Sequence, residues 1–384
     1  MTEYDYIIVG AGIAGLYCGL LLSLKYPDRK VLILEKNNYI GGRVLVEKFC
    51  GKDVVIGAGV GRYGKDRNLQ ALLERYNFPI KPYVSQKDYD GFEPVDIFKI
   101  TNEMSKKKLD LNKTFKENFI HLYGEDLWKR FVLSSGYTDF EDADVLDTLK
   151  YYGWDDYKKG SQYFSVPWEE LKDKMIEELK KNGVVIHKNI DVSNIRRIGE
   201  NHVIIEANKT QGSAKKVFET KNIILATNLF GLRSYVNKDY HKYITSQIVC
   251  QPFMRMYVKV GDPIESIQHF TLMNNFLQKA IPMGDNIYMM SYSDNKYASN
   301  LNKMKIDDIR RKLEKMFDVN VCKIAKYYWP CGTHYYRPLK YFKNREEFLN
   351  NAQHPEKNIF VVGDVVSFDQ GWVEGALDSV RRLL

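Results

Sequence analysis

The chain has 384 residues, of which 44% are hydrophobic and 28% are charged, with a net charge of +8. The positive residues are spread along the chain without a basic stripe interleaved with aromatics, which argues against a nucleic-acid partner. The apolar run from Ile13 to Leu24 is too short to span a bilayer and has no basic region before it. The sequence therefore predicts no membrane partner, no signal peptide and a cytoplasmic protein. The five cysteines are scattered and show no metal-ligand spacing, which suits a reducing compartment, and no metal site is predicted.

The N-terminal segment has the pattern of a strand, a glycine-rich turn, a helix and a second strand. An apolar run ends at Gly10, which permits a tight turn. Gly12 lets the backbone approach a pyrophosphate, and Gly15 lets the helix pack closely on the strand. The second apolar strand ends at Glu35, where a carboxylate would hold an adenosine ribose hydroxyl. Because the glycines lie between a strand and a helix, this segment predicts a dinucleotide-binding unit.

Two further glycine motifs follow the acidic residue. Gly42 allows a close backbone approach, and Arg43 can pair with a diphosphate. Together with the preceding unit, this stretch resembles the FAD fingerprint of the flavin-containing amine oxidase family. The loop of Gly57, Ala58 and Gly59 resembles the next flavin-contacting loop of that family. The resemblance implies that the cofactor is FAD.

Two later parts of the chain also resemble that family. A strand, meander and strand pattern resembles its second FAD segment, in which Val192 would present backbone groups to the adenine. Near the C-terminus an apolar strand is followed by Gly363 and Asp364, and Asp364 would reach ribityl hydroxyls or the diphosphate. Trp372 and Val373 open the last helix, whose N–H groups would point at the flavin pyrimidine ring.

The order of these motifs implies an α/β fold. It would contain a Rossmann-type FAD-binding domain built from discontinuous segments, plus a mixed-sheet and helical substrate domain. We assign residues 1–80, 160–245 and 355–384 to the FAD-binding domain, and residues 81–159 and 246–354 to the substrate-binding domain.

The catalytic candidates are aromatic residues that would face each other in front of the flavin. By resemblance, Trp372 takes one wall of this cage, and His334 or Tyr335 would take the opposite wall. A packed core position is the alternative for each of these side chains. Cys331 precedes a glycine rather than an aromatic, unlike the cysteines that bind FAD covalently in some relatives. We therefore expect FAD to be bound non-covalently.

One position departs from the family pattern. Many relatives carry a lysine, bonded through water to flavin N5, on the strand where this chain has Arg255. An arginine there could bind an anionic substrate group or stabilise negative charge on the flavin. The alternative is a surface arginine on a half-exposed strand.

The leading functional hypothesis is an FAD-dependent amine oxidase. It would transfer a hydride from the α-carbon of a small-molecule amine to flavin N5 and pass the electrons to molecular oxygen. One alternative is a flavin-dependent C–C oxidase or desaturase of an apolar substrate, and another is a flavin-loaded binding protein without turnover. The sequence leaves no readable mark of the oligomeric state.

Overall fold

The computed structural model describes residues 3–200, 202–210 and 214–384. Residues 1–2 belong to the predicted segment 1–80, and residues 201 and 211–213 belong to the predicted segment 160–245. These parts of the prediction lie outside the described residues. Within the described ranges the chain forms eighteen β-strands and thirteen α-helices. The strands, in chain order, are β1 (Glu3–Val9), β2 (Val31–Leu34), β3 (Val46–Phe49), β4 (Lys52–Val55), β5 (Val60–Arg62), β6 (Pro82–Val84), β7 (Lys87–Asp90), β8 (Gln162–Ser165), β9 (Val185–His187), β10 (Ile190–Arg197), β11 (Val203–Lys209), β12 (Lys215–Leu225), β13 (Ile248–Val260), β14 (Phe270–Met273), β15 (Lys279–Pro282), β16 (Ile287–Asp294), β17 (Val321–Tyr336) and β18 (Ile359–Val361). The helices are α1 (Ile13–Lys25), α2 (Arg67–Arg75), α3 (Ile97–Met104), α4 (Phe115–Tyr123), α5 (Glu125–Ser135), α6 (Val145–Tyr151), α7 (Trp168–Lys181), α8 (Leu229–Tyr235), α9 (Lys238–Tyr243), α10 (Asn295–Lys303), α11 (Ile306–Phe317), α12 (Arg345–Gln353) and α13 (Val373–Leu383).

The first sheet is built from distant parts of the chain. Its strand order is β10-β11-β12-β1-β2-β9, and β18 pairs with β12. The central pairs β1–β2, β1–β12 and β12–β18 are parallel, whereas β10, β11 and β12 form an antiparallel meander. All four residues of β2 are buried, as expected for a parallel strand that is covered on both faces.

Side chains of this sheet alternate between two cores because successive strand residues point to opposite faces. Ile8 and Ile33 contribute to the core shared with α1, α7 and α13. Ile7 and Leu32 contribute to the core on the other face, which contains Phe348 of α12. The glycine turn between β1 and α1 therefore lies at the carboxyl end of a central strand, in a sheet with a hydrophobic core on each face.

The second sheet has the order β17-β13-β16-β15-β14-β7. Its long central strand β13 pairs antiparallel with both β16 and β17. One face buries Met254 and Met256 against α10 and α11. The opposite face carries Tyr257, whose hydroxyl donates a hydrogen bond to the Val55 carbonyl at 2.5 Å. This face is therefore turned toward the N-terminal segment.

Helices α3 to α6 form a separate layer around aromatic side chains. Six buried rings pack together in this layer: Phe115, Phe119, Trp128, Phe131, Phe140 and Trp154. Among the described residues, no helix is both long and apolar enough to cross a bilayer.

Candidate active site

The glycine turn after β1 has the shape that the sequence predicts. Gly10 has a φ of +109°, and a Cβ there would lie 2.4 Å from the Ala226 carbonyl oxygen. A Cβ at Gly15 would lie 2.0 Å from the Gly10 oxygen, so neither position accepts a side chain. Gly12, by contrast, has no atom within 4 Å of a Cβ position. The turn thus presents a free backbone surface beside the N-terminus of α1, where phosphates bind in such units.

Glu35 lies at the carboxyl end of β2, beside this turn. One carboxylate oxygen accepts the Ala11 N–H at 2.8 Å, and the other accepts the backbone and side-chain N–H groups of Asn37 at 2.8 and 2.9 Å. Glu35 is 8% exposed. Its carboxylate is therefore fixed in orientation beside the glycine turn. The contact of Asn37 with this carboxylate was not predicted from the sequence.

Arg43 and the loop of Gly57, Ala58 and Gly59 form the next part of the site. Gly42 lies against Gly12, since a Cβ on Gly42 would be 3.3 Å from the Gly12 Cα. The Ala58 N–H donates to the Arg43 carbonyl at 2.7 Å. A Cβ at Gly57 would lie 2.0 Å from that same oxygen. The two glycine motifs thus pack against each other through their backbones.

Two tryptophans hold this loop from outside. The Trp329 indole N–H donates to the Ile56 carbonyl at 2.7 Å, and the Trp168 indole N–H donates to the Gly59 carbonyl at 2.9 Å. The carbonyls of an irregular loop need such partners when they are withdrawn from water. Trp168 was missed by the sequence analysis, because it lies about a hundred residues along the chain from the loop.

An ion pair joins the first and last segments of the chain. The Arg43 guanidinium donates to both carboxylate oxygens of Asp364, one of them at 3.0 Å, and to the Gly332 carbonyl at 2.6 Å. His334 Nδ1 lies 2.9 Å from Asp364 Oδ2. Burial opposes ionisation of Asp364, but Arg43 and His334 outweigh it and hold its pKa well below the ordinary value. Asp364 is therefore a carboxylate fixed by the protein.

His334 is hydrogen-bonded within the core, and its role as a cage wall stays a prediction. Its ring is buried between Asp364 and the core, and its Nε2 lies 3.4 Å from Cys331 Sγ. The neighbouring Thr333 faces the other side of β17, where a Cβ on Gly371 would lie 3.6 Å from its methyl group. Thr333 is thus the residue of β17 that packs against Gly371. Because strand side chains alternate, an offset of one residue exchanges the two faces.

Cys331 is joined to Cys250 by a disulfide, with Cα atoms 5.2 Å apart. The antiparallel pairing of β13 and β17 brings the two cysteines together, and their sequence spacing gave no sign of it. Among the described residues, these two sulfurs and a His334 nitrogen are the one group of metal-type donors within 4.8 Å of one another. A disulfide offers no thiolate, so this group is not a metal site in the oxidised state.

Trp372 immediately precedes α13, and Val373 is the first residue of that helix. The Trp372 ring lies 4.1 Å from the guanidinium carbon of Arg62. Arg62 is itself buried and held by Asp66 at 2.8 Å. The indole is therefore stacked on a fixed cation on one side.

Tyr335 lines a narrow cleft of about 50 Å³ together with Gln370 and the half-buried acid Asp139. The Tyr152 hydroxyl donates to Asp139 at 2.5 Å. Burial raises the pKa of Asp139 to about 7. The Gln370 amide nitrogen is buried without a hydrogen-bond partner in the described part of the chain. This cleft adjoins the turn that leads to Trp372 and was not predicted.

Arg255 is buried at 3% exposure, so the surface alternative is wrong. A Cβ on Gly59 would lie 2.7 Å from Arg255 Nη2. The guanidinium carbon lies 4.5 Å from the centroid of the Tyr292 ring. The side chain therefore points from the second sheet toward the loop that resembles a flavin contact.

Val192 lies in β10 with its side chain in the core, and its carbonyl accepts the Tyr235 hydroxyl at 2.9 Å. Gly363 precedes Asp364 at the end of β18, and its N–H donates to Ser379 Oγ at 2.7 Å. Contacts of Val192 with an adenine stay a prediction.

Comparison with known proteins gives one domain match, one short sequence match and one match in overall structure. Residues 8–76 match the model of the NAD(P)-binding Rossmann-like domain. Over 42 residues the chain is 48% identical to an uncharacterized protein of Acanthamoeba polyphaga mimivirus, a match that covers 11% of this chain and 8% of that protein. The whole chain superposes on a putrescine oxidase double mutant, from a redesign of cofactor binding, with a TM-score of 0.75. The chain has the putrescine oxidase fold.

The two chains are 13% identical, and the match covers 99% of this chain and 98% of the other. The predicted α/β fold with a Rossmann-type unit is confirmed. At this identity the likeness concerns the fold. The domain boundaries and the roles of the individual site residues stay predictions.

Proposed function

We propose that this chain is an FAD-dependent oxidoreductase of the amine oxidase type. The observation that carries the proposal is the convergence of distant FAD-type motifs on one groove. The ion pair between Arg43 and Asp364 fixes the third segment beside the first, and both adjoin the open glycine turn at Gly12. A dinucleotide site needs these parts together, because the diphosphate, the ribose and the flavin are spread along an extended cofactor.

The residues present fit FAD. The free backbone at Gly12 and the N-terminus of α1 would hold the diphosphate, and Glu35 would accept a ribose hydroxyl. The loop of Gly57 to Gly59 and the first turn of α13 would border the isoalloxazine ring. The Cys331 sulfur is engaged in the disulfide with Cys250, which favours non-covalent binding.

Bound FAD would supply the two-electron acceptor for a C–H bond next to an amine nitrogen. The chain would orient that bond with Trp372, whose ring is fixed against Arg62. The N–H groups at the start of α13 would favour negative charge on the pyrimidine edge of the ring. The cleft beside Gln370 would admit a small-molecule amine, and molecular oxygen would then take the electrons.

A second candidate is a flavin-dependent C–C oxidase or desaturase. The packing of Thr333 against Gly371 favours it, because a threonine offers no aromatic face at that point of β17. A wall with fewer aromatic faces orients an amine less strictly. Such a site is compatible with a less polar substrate.

Cofactor analysis and a substrate screen test both candidates. The purified protein should be yellow, and denaturation should release FAD into solution. A colourless protein that cannot be reconstituted with FAD would end the proposal. Anaerobic bleaching of the flavin by amines, with peroxide formed on admitting oxygen, would favour the amine oxidase over the second candidate.

A further inference from the structure

Arg255 is a buried cation that no carboxylate of the described residues neutralises. It is 3% exposed, and no carboxylate in the described residues lies within ion-pairing distance of its guanidinium. Its Nη1 lies 3.2 Å from the Met289 sulfur, its other polar neighbour is the uncharged Tyr257 hydroxyl, and its Nε has no hydrogen-bond partner in the described part of the chain. Two other arginines of the site, the half-buried Arg43 and the buried Arg62, are paired with aspartates.

Among the described residues, Arg255 lacks the ion-pair partner that a buried charge normally requires. A guanidinium cannot relieve its burial by losing a proton, because its pKa is too high. The Tyr292 ring at 4.5 Å and the Phe253 ring at 5.8 Å offset part of the desolvation. Aromatic faces, however, do not accept the in-plane N–H bonds of the fork. The Nε–H of this fork is therefore a buried donor without an acceptor in the described part of the chain, and an anion is the partner that such a fork prefers.

A second buried basic side chain also lies beside Tyr292. Lys279 is fully buried, and its Nζ lies 3.2 Å from the Tyr137 ring centroid and 4.6 Å from that of Tyr292. Its ammonium donates to the Tyr292 carbonyl at 2.7 Å. The nearby Asp294 is engaged by the Thr138 hydroxyl at 2.7 Å. This part of the sheet therefore holds two cations, of which Arg255 carries the permanent charge.

The unpaired Nε of Arg255 also lies near the place where the proposed function puts a substrate. Arg255 and Tyr292 are direct partners across β13 and β16, on the face that is turned toward the N-terminal segment. The guanidinium approaches Gly59, the last residue of the proposed flavin-contacting loop. A group bound there would be adjacent to both the loop and the aromatic rings.

We propose that Arg255 binds a carboxylate of the substrate, so that the substrate is an amine that also carries a carboxylate. The planar fork of arginine matches a carboxylate through two parallel N–H bonds, and the surrounding rings suit an apolar or aromatic body. The placement of the amine beside the flavin rests on the proposed function. The binding of the carboxylate rests on Arg255 alone.

The test compares carboxylates with their uncharged isosteres on the purified FAD-loaded protein. Benzoate, phenylacetate and 3-phenylpropionate are each titrated against the corresponding primary amide, with tryptophan fluorescence and thermal shift as readouts. We expect at least one carboxylate to bind roughly 10- to 100-fold more tightly than its amide, the range for a charge-assisted hydrogen bond. Arg255→Met should abolish this preference. Equal binding of every acid and amide by the unmodified protein would overturn the proposal.

Lys259→Met is the matched control, since it removes one positive charge from the same strand and should keep the preference. A preference that survives in a folded Arg255→Met protein also overturns the assignment. If that variant does not fold, Arg255→Lys decides. Its carboxylate affinity should fall roughly 10-fold with amide binding unchanged, and an unaltered carboxylate affinity contradicts us. Because the readouts need no flavin, a protein without FAD would refute the proposed function while the carboxylate preference could still be measured.

Discussion

Glu35 illustrates how a single side chain is prepared for its partner. Its carboxylate is held by Ala11 and Asn37 before any ribose is present. The orientation of both oxygens is therefore set by backbone N–H groups at the edge of the groove. A group arranged in this way loses little freedom when it accepts another hydrogen bond.

We expect Glu35→Ala to weaken FAD binding by about 1.5–3 kcal/mol, because the ribose loses a hydrogen bond to a charged group. The measurement is the dissociation constant of FAD by fluorescence titration of the apoprotein. Glu47→Ala, at an exposed position of β3, is the control and should bind FAD normally. An unchanged constant for Glu35→Ala would remove this residue from the site.

Lys279 predicts how stability changes with pH. Burial lowers its pKa from the ordinary value of 10.5 to about 7. Between these two values the unfolded chain holds a proton that the folded chain has lost, so the free energy of unfolding rises with pH through this window. Below about pH 7 both states are charged and the buried ammonium destabilises the fold fully.

Lys279→Met should remove that rise, which has a limiting slope of about 1.4 kcal/mol per pH unit for one proton. The measurement is urea unfolding at several values between pH 7 and 9. Asp139, whose pKa burial raises to about 7, titrates mainly below this window. Lys259→Met is the control and should keep the slope of the unmodified protein. Parallel curves for all three proteins would mean that Lys279 does not lose its proton on folding.

Helix α2 receives its N-terminal cap from another helix. Its own N-cap residue, Asp66, makes no side-chain capping bond. Instead, the Glu374 carboxylate of α13 accepts the N–H groups of Asn68 and Leu69 at 2.9 and 3.0 Å. The first turns of α2 and α13 are thereby tied together. This contact fixes the helix whose N-terminus would face the flavin.

Glu374→Ala should lower the free energy of unfolding by about 1–3 kcal/mol, because it leaves buried N–H donors without an acceptor. Glu374→Gln should cost less, since the amide oxygen still accepts one bond. The comparison uses urea denaturation with Glu74→Ala, an exposed position of α2, as the control. Equal stability of Glu374→Ala and the control would show that the cap contributes nothing.

The ion pair between Arg43 and Asp364 operates at the level of the whole molecule. It connects the first segment with the last across more than three hundred residues of sequence. Asp364 also fixes His334 of β17, at 2.9 Å. Three parts of the chain therefore depend on one buried carboxylate.

Removing one member of a buried pair leaves the other charge uncompensated, so Asp364→Asn should destabilise the protein by about 3–5 kcal/mol and weaken FAD binding. Arg43→Met combined with Asp364→Asn should cost clearly less than the sum of the single changes. A double-mutant cycle of unfolding free energies measures this coupling. Additive effects within about 0.5 kcal/mol would contradict the link between the segments.

The N-terminal strand, turn, helix and second strand were predictable from the sequence because their causes are local. Gly10 is required by its φ of +109° and Gly15 by its contact with the Gly10 carbonyl, and the apolar runs of β1 and β2 mark buried parallel strands. The same holds for the place of Glu35 directly after a strand. Short-range sterics and burial fix these features, so a motif read along the chain is enough to find them.

Long-range pairing decided the rest of the site. Whether His334 or Thr333 packs against Gly371 depends on the register of β17, and a shift of one residue reverses the faces. The disulfide of Cys250 and Cys331, the cap that Glu374 gives to α2 and the isolation of Arg255 from every described carboxylate arise only when strands and helices distant in sequence pack together. The amino acids supply the donors, acceptors and charges, but their partners follow from packing in three dimensions, which spacing along the chain does not encode.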